Sequence, residues 1–471
     1  MSAPAVSAPL TRLWGARFAG GAAPELDRLN RSLPIDWRLW PFELRVDRAW
    51  LAELVAVGAV SEAEAERLGQ GLAAVERRLS EAEGIEAEPD EDIHTLIERW
   101  LHEDVGDLAS QLRLGRSRND VVATDTRLWA LAAAERTQGA ILELQRALVD
   151  RAVELVDVPF PAYSHLQRAQ PSRAAHWLLA HFWALERDRA RVREAGGRLG
   201  ELPLGAAAGW GSSLAIDRDR LASALGFADV CENSLDAVGG RDWVAEMLYV
   251  WAQTSMDVAR LAEDLILYST AEFGLVRLAD AFSTGSSLMP QKRNPDGAEL
   301  ARARAGVLIG LLAGFLSTVK GLPSGYHKDL QEDKAALFTA ERSLSDVLSA
   351  LTGTVRTLEV RAEAAGRALK PGMLATDVAE YLAGRGVPFL RAHEAVGEMV
   401  RLAERTGRAL PDLPAEALAS IHPALAELAP QVWDVEAALE RRNVRGGVGR
   451  RTLLDQIQRA RARLDEVPDP A

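Results

Sequence analysis

The stretch RDWVAEMLYVWAQTSMDVARLAEDLILYSTAEF, Arg241 to Phe273, contains neither glycine nor proline. Within it Val244, Leu248, Trp251, Ser255, Val258, Ala262 and Leu265 step by alternating four and three, laying one largely apolar stripe along a helix. At about 1.5 Å per residue that helix would be on the order of 50 Å long, well beyond an ordinary globular helix. A second such segment runs from Val121 to about Val156, interrupted only by Gly139, and a third from Asp333 to about Gly366. Helices of this length bury their stripes most simply by packing lengthwise in a bundle. Ser255 and Ala262 allow close helix approach, either within the subunit or to a second one. The high surface-to-volume ratio of an elongated bundle favours an oligomer.

Working outward, 471 residues exceed one compact core and suggest two or three packed units. Shorter helical stretches precede Gly115, with turns at Gly20-Gly21, Pro34, Pro41 and Glu88-Pro89-Asp90; after Lys370-Pro371-Gly372 short helices return. The expected division is 1–117, an N-terminal helical domain; 118–367, the long-helix bundle; and 368–471, a small C-terminal helical domain. Gly446-Gly447-Val448-Gly449 reads as a turn between two helices, because no strand precedes it as a phosphate loop would require.

Lys+Arg total 55 against 68 for Asp+Glu, a net charge of −13, which argues against a broad grip on nucleic acid or anionic lipid. Any anionic ligand must be held by a local basic site. One cysteine, Cys231, excludes an intramolecular disulfide framework and a cysteine-based zinc cluster, and fits a cytoplasmic setting. The opening MSAPAVSAPL lacks the basic start and apolar run of a secretion signal and reads as a short disordered lead. The longest uncharged run, Ala305 to Val319, is short and glycine-rich for a membrane span.

Three segments break the helical pattern with Gly, Ser, Asn and basic residues. In Gly115-Arg116-Ser117-Arg118-Asn119-Asp120, Asn119 or Asp120 would cap the helix at Val121, while Arg116 and Arg118 beside the helix start would make an anion site. In Tyr163-Ser164-His165-Leu166-Gln167-Arg168-Ala169-Gln170-Pro171, His165 lies among polar residues and is a candidate acid or base. His176 and His181 are five apart, which does not align them as metal ligands, and they read as packing residues; no HExxH pattern occurs, so no metal is expected. The third segment is Gly285-Ser286-Ser287-Leu288-Met289-Pro290-Gln291-Lys292-Arg293-Asn294-Pro295-Asp296-Gly297. A loop this long in a helical protein fits a lid or binding element, and its serines and cations could supply a base and stabilise a developing anion.

GSSLMPQKRNPD resembles the signature of the fumarase/aspartase superfamily, and its Gln291-Lys292 form is similar to that of the argininosuccinate lyase family. The resemblance spans nearly the whole chain: Leu13-Trp14-Gly15-Ala16-Arg17-Phe18, Asp90-Glu91-Asp92-Ile93-His94, GRSRND, YSHLQRAQP, Asn233-Ser234-Leu235-Asp236, AEDLILY at 262–268, and Lys328-Asp329-Leu330-Gln331-Glu332-Asp333-Lys334. It implies an all-α fold of three mostly helical domains, with central bundles forming a twenty-helix core in a homotetramer. Each active site would draw on three subunits and cleave argininosuccinate to arginine and fumarate without a metal or organic cofactor. By position, Ser286 would be the general base, its deprotonated form favoured by Lys292 and loop N–H groups, with Lys292 and Asn294 holding the carboxylate that gathers charge. His165 would act at the leaving nitrogen. Ser32, Arg118, Asn119, Ser164, Tyr326, Gln331 and Lys334 would contact substrate, Ser164 and Asn119 at the succinate half, Tyr326, Gln331 and Lys334 at the amino-acid end of the arginine half. The substrate's three carboxylates would be met by basic residues concentrated in the motif loops: Arg116, Arg118, Arg168, Lys292, Arg293, Lys328 and Lys334.

The chain departs from the family pattern in places. Arg113-Leu114 replace His-Thr before GRSRND, Ser164 replaces threonine, His327 stands where asparagine is common, and Gly239-Gly240 replace a more polar pair. Two other readings follow: a superfamily lyase of the adenylosuccinate or aspartate type, or a catalytically silent crystallin-like homotetramer.

Overall fold

The computed structural model describes residues 22–465. The opening lead, the Leu13–Phe18 motif and the Gly20-Gly21 turn lie outside the described residues. Two helices, α1 (Trp40–Ala56) and α2 (Ile93–Val105), belong to the N-terminal part. The bundle follows: α3 (Arg118–Glu154), a hairpin of β1 (Pro159–Ser164) and β2 (Gln167–Arg173), α4 (Ala174–Arg198) and α5 (Asp242–Ser269). Next come a short hairpin of β3 (Thr284–Gly285) and β4 (Arg293–Asn294), α6 (Asp296–Val319) and α7 (Asp333–Thr357). The last helix among the described residues is α8 (Arg450–Asp465).

These five long helices, α3 to α7, pack along one another. All seven residues of the predicted stripe on α5 are at most 1% exposed, so the stripe faces this subunit's own core rather than a second one. Trp251 donates to Thr137 Oγ1 on α3 at 3.1 Å, so the one polar atom this tryptophan carries into the core is satisfied.

Helix ends depart from the sequence expectation where capping chemistry decides them. The residue that caps α3 is Ser117, not Asn119 or Asp120: its Oγ accepts from Asn119 N at 3.3 Å, while Asp120 Oδ1 accepts from Ser117 N at 2.9 Å, a reciprocal capping box. The helix therefore begins at Arg118, three residues early, and this fixes the direction of the Arg118 and Asn119 side chains. At its other end α7 stops at Thr357, short of Gly366, and a two-residue strand, Glu359–Val360, pairs with Val276–Arg277.

One apolar core runs from Leu33 through the bundle and includes Leu453, Ile457 and Ala460 of α8. A second cluster, from Val378 to Val432, is separate from it. The glycine-rich segment 446–449 does join two helices, Val435–Arg441 and α8. By length and composition alone α6 could cross a membrane; it packs along α5 and α7, and its outer side leaves Leu300, Val307, Ile309 and Leu316 each at least 46% exposed.

Candidate functional site

The five helices alternate in direction, so the loops between them gather at two ends of the bundle. One end carries the start of α3, the start of α5, and the segment from the end of α6 to the start of α7. Here a cavity of about 130 Å³ is lined by Ser32, Asp36, Asp92, His94, Arg118, Asn119, Tyr326, Lys328, Gln331 and Lys334. Six expected substrate contacts, Ser32, Arg118, Asn119, Tyr326, Gln331 and Lys334, thus come together from segments 300 residues apart. Ser32 N donates to Glu91 O at 2.8 Å within the N-terminal part, and Gln331 Nε2 donates to Asn30 O at 3.3 Å, tying that part to the bundle.

Most cations at this end are already engaged. Arg118 Nη1 lies 2.7 Å from Asp92 Oδ2 and Nη2 donates to Thr95 Oγ1 at 3.1 Å. Arg116 is turned away and bonds to buried Asp47, which corrects its expected place in an anion site. Lys334 Nζ is 2.6 Å from Asp333 Oδ1, and Arg241 Nε reaches Asp333 Oδ2 at 2.8 Å. Burial pushes the Asp333 carboxyl up, but Lys334 and Arg241 outweigh it and hold it below the usual range.

The opposite end carries the other expected residues. In the first hairpin Ser164 pairs with Gln167, leaving His165 and Leu166 as a two-residue turn. Both have φ above zero, 55° and 57°. Non-glycine residues pay about 1–2 kcal/mol each for this conformation, and the strain presents the His165 imidazole at an exposed tip. Tyr163 packs on Tyr268 and Phe273, so the hairpin is seated against the end of α5, the helix that precedes the Gly285–Gly297 loop in the chain. In that loop Ser286 Oγ accepts from Met289 N at 3.0 Å and Leu288 N at 3.3 Å. Lys292 is exposed, and Asn294 Nδ2 lies 3.4 Å from Gly285 O across β3 and β4. Arg293 bonds to Asp280 and to Leu278 O, so it braces the loop rather than facing a ligand.

Between this cavity and a larger one of about 390 Å³, lined by Glu43, Asp47, His94, Arg113, Arg116 and Arg118 among others, lies a buried group to which the sequence reading gave no role. His94 Nδ1 is 2.8 Å from Glu43 Oε2, and Asp125 Oδ2 is 3.8 Å from the same nitrogen. By donor type the three could hold a cation, their ligand-capable atoms lying within 4.8 Å of one another. Burial pushes Glu43 up, yet His94, the Asp125 hydrogen bond and Arg116 hold it below the usual carboxylate range. Asp125 is raised well above that range, first by burial and then by Glu43 and Asp47. His94 is raised because Glu43, Asp92 and Asp36 outweigh its burial.

Residues 16–310 match the family described as Lyase, and residues 372–440 that described as Argininosuccinate lyase C-terminal. The argininosuccinate lyase of Roseiflexus castenholzii is 48% identical over 455 residues, covering 96% of this chain and 100% of its own length. That of Herpetosiphon aurantiacus is 46% identical over 454 residues, again 96% and 100%.

The chain belongs to the argininosuccinate lyase family.

Among solved structures, EDDS lyase in complex with formate is similar at a TM-score of 0.82 and 27% identity, over 94% of this chain and 90% of that one. Membership in the argininosuccinate lyase family makes the chain a lyase and does not favour the adenylosuccinate, aspartate or silent structural readings. The departures from the argininosuccinate lyase pattern fall at both ends of the bundle: Ser164 in the first hairpin, the others at the end that carries the cavity. Leu114 is partly exposed, its carbonyl accepting from Trp50 Nε1 at 3.1 Å, and Arg113 lies 3.6 Å from Glu98. Gly239 is required: a Cβ there would meet Gly325 O at 2.8 Å, and Gly325 leads into Tyr326. His181, read as a packing residue, is buried against Asp264 at 3.0 Å.

Proposed function

We propose that this chain catalyses the reversible elimination of argininosuccinate to L-arginine and fumarate, the last step of arginine biosynthesis, in the cytoplasm. Breaking the carbon–nitrogen bond requires loss of a weakly acidic proton beside a carboxylate, which leaves that carboxylate doubly charged. Ser286 takes the proton; the two loop N–H groups on its Oγ and the nearby Lys292 favour the deprotonated hydroxyl. Lys292 and Asn294 hold the carboxylate as charge gathers. The electron pair returns to expel the guanidino nitrogen, which receives its proton from the His165 side. Asn119 and Ser164 hold the succinate half, with Arg118 a further carboxylate contact; Ser32, Tyr326, Gln331 and Lys334 hold the arginine half. No metal or organic cofactor enters these steps.

The observation that carries the reading is the division of the expected residues into two sets at opposite ends of one bundle. Asn119 lies at the start of α3 and the His165 hairpin follows its end, 37 helical residues or about 55 Å away. Gln331 and Lys334 are likewise separated from Asn294 by the 24 residues of α6, about 36 Å. Neither set alone is a complete elimination site. Copies packed with their bundles antiparallel would bring unlike ends together, and the exposed apolar side of α6 offers the surface for that contact. The assembly proposed is a homotetramer with shared sites and a twenty-helix core.

The test is turnover of argininosuccinate followed by ultraviolet absorbance of fumarate, with arginine measured in parallel. Ser286→Ala is expected to lower turnover by about a thousandfold or more while substrate binding survives. Near wild-type turnover in that variant would remove Ser286 from the role, and no arginine from the wild type would end the reading.

A further inference from the structure

We propose that Arg173, Glu440 and Arg450 are positioning residues for His165: through them the C-terminal part of the chain grips both legs of the first hairpin and fixes the turn that presents the imidazole. The inference rests on the argininosuccinate reading, in which His165 serves the leaving nitrogen.

The hairpin is poorly equipped to hold itself. At its base Pro159, Phe160 and Pro161 pair with Arg173, Ser172 and Pro171, and the three prolines among these six residues have no N–H to give to the ladder. Beyond them the register slips between Pro161 and Tyr163. At the tip His165 and Leu166 both sit at positive φ, a conformation that persists in non-glycine residues only where the surroundings enforce it. A two-stranded hairpin on its own is marginal even without these defects. Tyr163 seats the upper part on α5, and the base needs a second hold.

The C-terminal part supplies that hold with charge. The Arg173 side chain is only 1% exposed, and its Nη2 donates to Glu436 and, at 2.8 Å, to Glu440, both on the helix Val435–Arg441. Stripping a buried guanidinium of its carboxylates is costly, so the contact is firm. Glu440 Oε1 also accepts from Arg450 N at 3.0 Å, and Arg450 Nε reaches Asp157 Oδ1 at 2.6 Å, two residues before β1. Asp157, Arg450, Glu440 and Arg173 thus form one line of contacts from the entry of the hairpin to its exit. The glycine-rich turn 446–449 makes this possible by bringing Arg450 back beside Glu440. Gly449 N donates to Arg442 O at 3.2 Å, and a Cβ on Gly447 would collide with that same carbonyl. The helix Ala362–Ala368 packs on β1 and the single-turn helix Pro371–Leu374 on β2, so the C-terminal part also lines both strands. Arg173, Glu440 and Arg450 touch no substrate in this scheme; they act through the hairpin.

The experiment measures kcat and KM for argininosuccinate in the full-length enzyme, with folding checked by circular dichroism. Arg173→Met should lower kcat about thirtyfold, part of the roughly hundredfold or more that a well-placed acid contributes, and leave KM within about twofold. Glu440→Gln cuts the line at its centre and should lower kcat about tenfold. Both glutamates are met by the one nitrogen Nη2, so an ammonium can serve them and Arg173→Lys should retain most of the turnover. The deciding measurement repeats Arg173→Met in a His165→Asn chain, asparagine being at ease at positive φ. With the imidazole gone, the substitution should cost less than about twofold, whereas a general structural loss would lower turnover by the same factor in both backgrounds. That equal factor overturns the proposal. So does wild-type kcat in Arg173→Met or Glu440→Gln, or a fall in Arg173→Lys as large as in Arg173→Met. Should Arg173→Met fail to fold, Glu440→Gln, altered at a half-exposed side chain, is carried through the same two backgrounds. Wild-type enzyme that makes no arginine, or His165→Asn with full turnover, overturns the parent reading as well. An active wild type and an impaired His165→Asn, with any of the contrary results above, overturn this inference alone.

Discussion

Asp333 is fully buried between two cations, Lys334 at 2.6 Å and Arg241 at 2.8 Å. It holds Lys334 in the cavity wall, and Arg241, bonded also to Val238 O and Gly240 O, anchors Asp333 in turn. Asp333→Asn would leave two buried cations sharing one neutral oxygen, and loss of a buried partner of this kind costs about 3 kcal/mol or more. The expected result is a lowered denaturation midpoint together with a raised KM for argininosuccinate, read from urea titration and kinetics. Because the folded-state carboxyl is held below its ordinary value, its stabilising contribution is present above that value and disappears as pH falls through the lowered one. The variant should therefore lose its disadvantage in acid. Residues of this kind mark where sequence reading stops. Ser286, His165 and Asn119 stand in segments that break the helical sequence pattern with polar and basic residues and announce themselves, whereas Glu43 stands in an ordinary helical stretch, WPFELRVDRAW, and only the fold brings it to His94. Arg116 and Arg293 mislead in the opposite direction: their positions in motif loops suggest ligand contacts, and Asp47 and Asp280 claim them.

At the scale of elements, the long helices were legible because a run without Gly or Pro and with a four-three apolar step has few other ways to bury itself. Their ends were not, since Ser117 outcompetes Asn119 as cap through the reciprocal bond to Asp120, a choice that composition alone leaves open. The helix interfaces also hold charge that the stripes do not disclose. Asp188 on α4 is fully buried, and one of its oxygens has no donor among the described residues. Burial first, and then Asp257 on α5, push its carboxyl up to about 7. A raised folded-state value means that the folded protein prefers the protonated form, so stability falls as pH climbs from the ordinary carboxylate value through about 7. Asp188→Asn should remove that penalty, raising stability by on the order of 1 kcal/mol near pH 8 and by little near pH 4. Thermal unfolding of both proteins across that range checks it; an equal offset at every pH would place the effect in packing instead.

For the whole molecule, the polarity of the bundle governs what a single subunit can do. The hairpin with His165 and the loop with Ser286 occupy one end, and Asn119, Tyr326 and Lys334 the other, separated by the length of α3 or α6. The sequence carried both sets but not the distance between them, which depends on the alternating direction of five helices. A solitary subunit should therefore be inactive, and a charge in the apolar side of α6, such as Ile309→Glu, should yield smaller species by light scattering together with loss of turnover. A second measurement separates assembly from local damage. Ser286→Ala disables one end and Lys334→Ala the other, so each homogeneous enzyme should be inactive. Co-expressed, the two chains mix, and wherever an intact end of one copy meets the intact opposite end of another a working site forms. Random mixing of two such chains leaves roughly a quarter of the sites with both ends intact. Recovery on that scale from two inactive parents requires sites built between copies. A mixture that stays as inactive as its parents would mean that each subunit builds its site alone, against the separation of the two ends along α3 and α6.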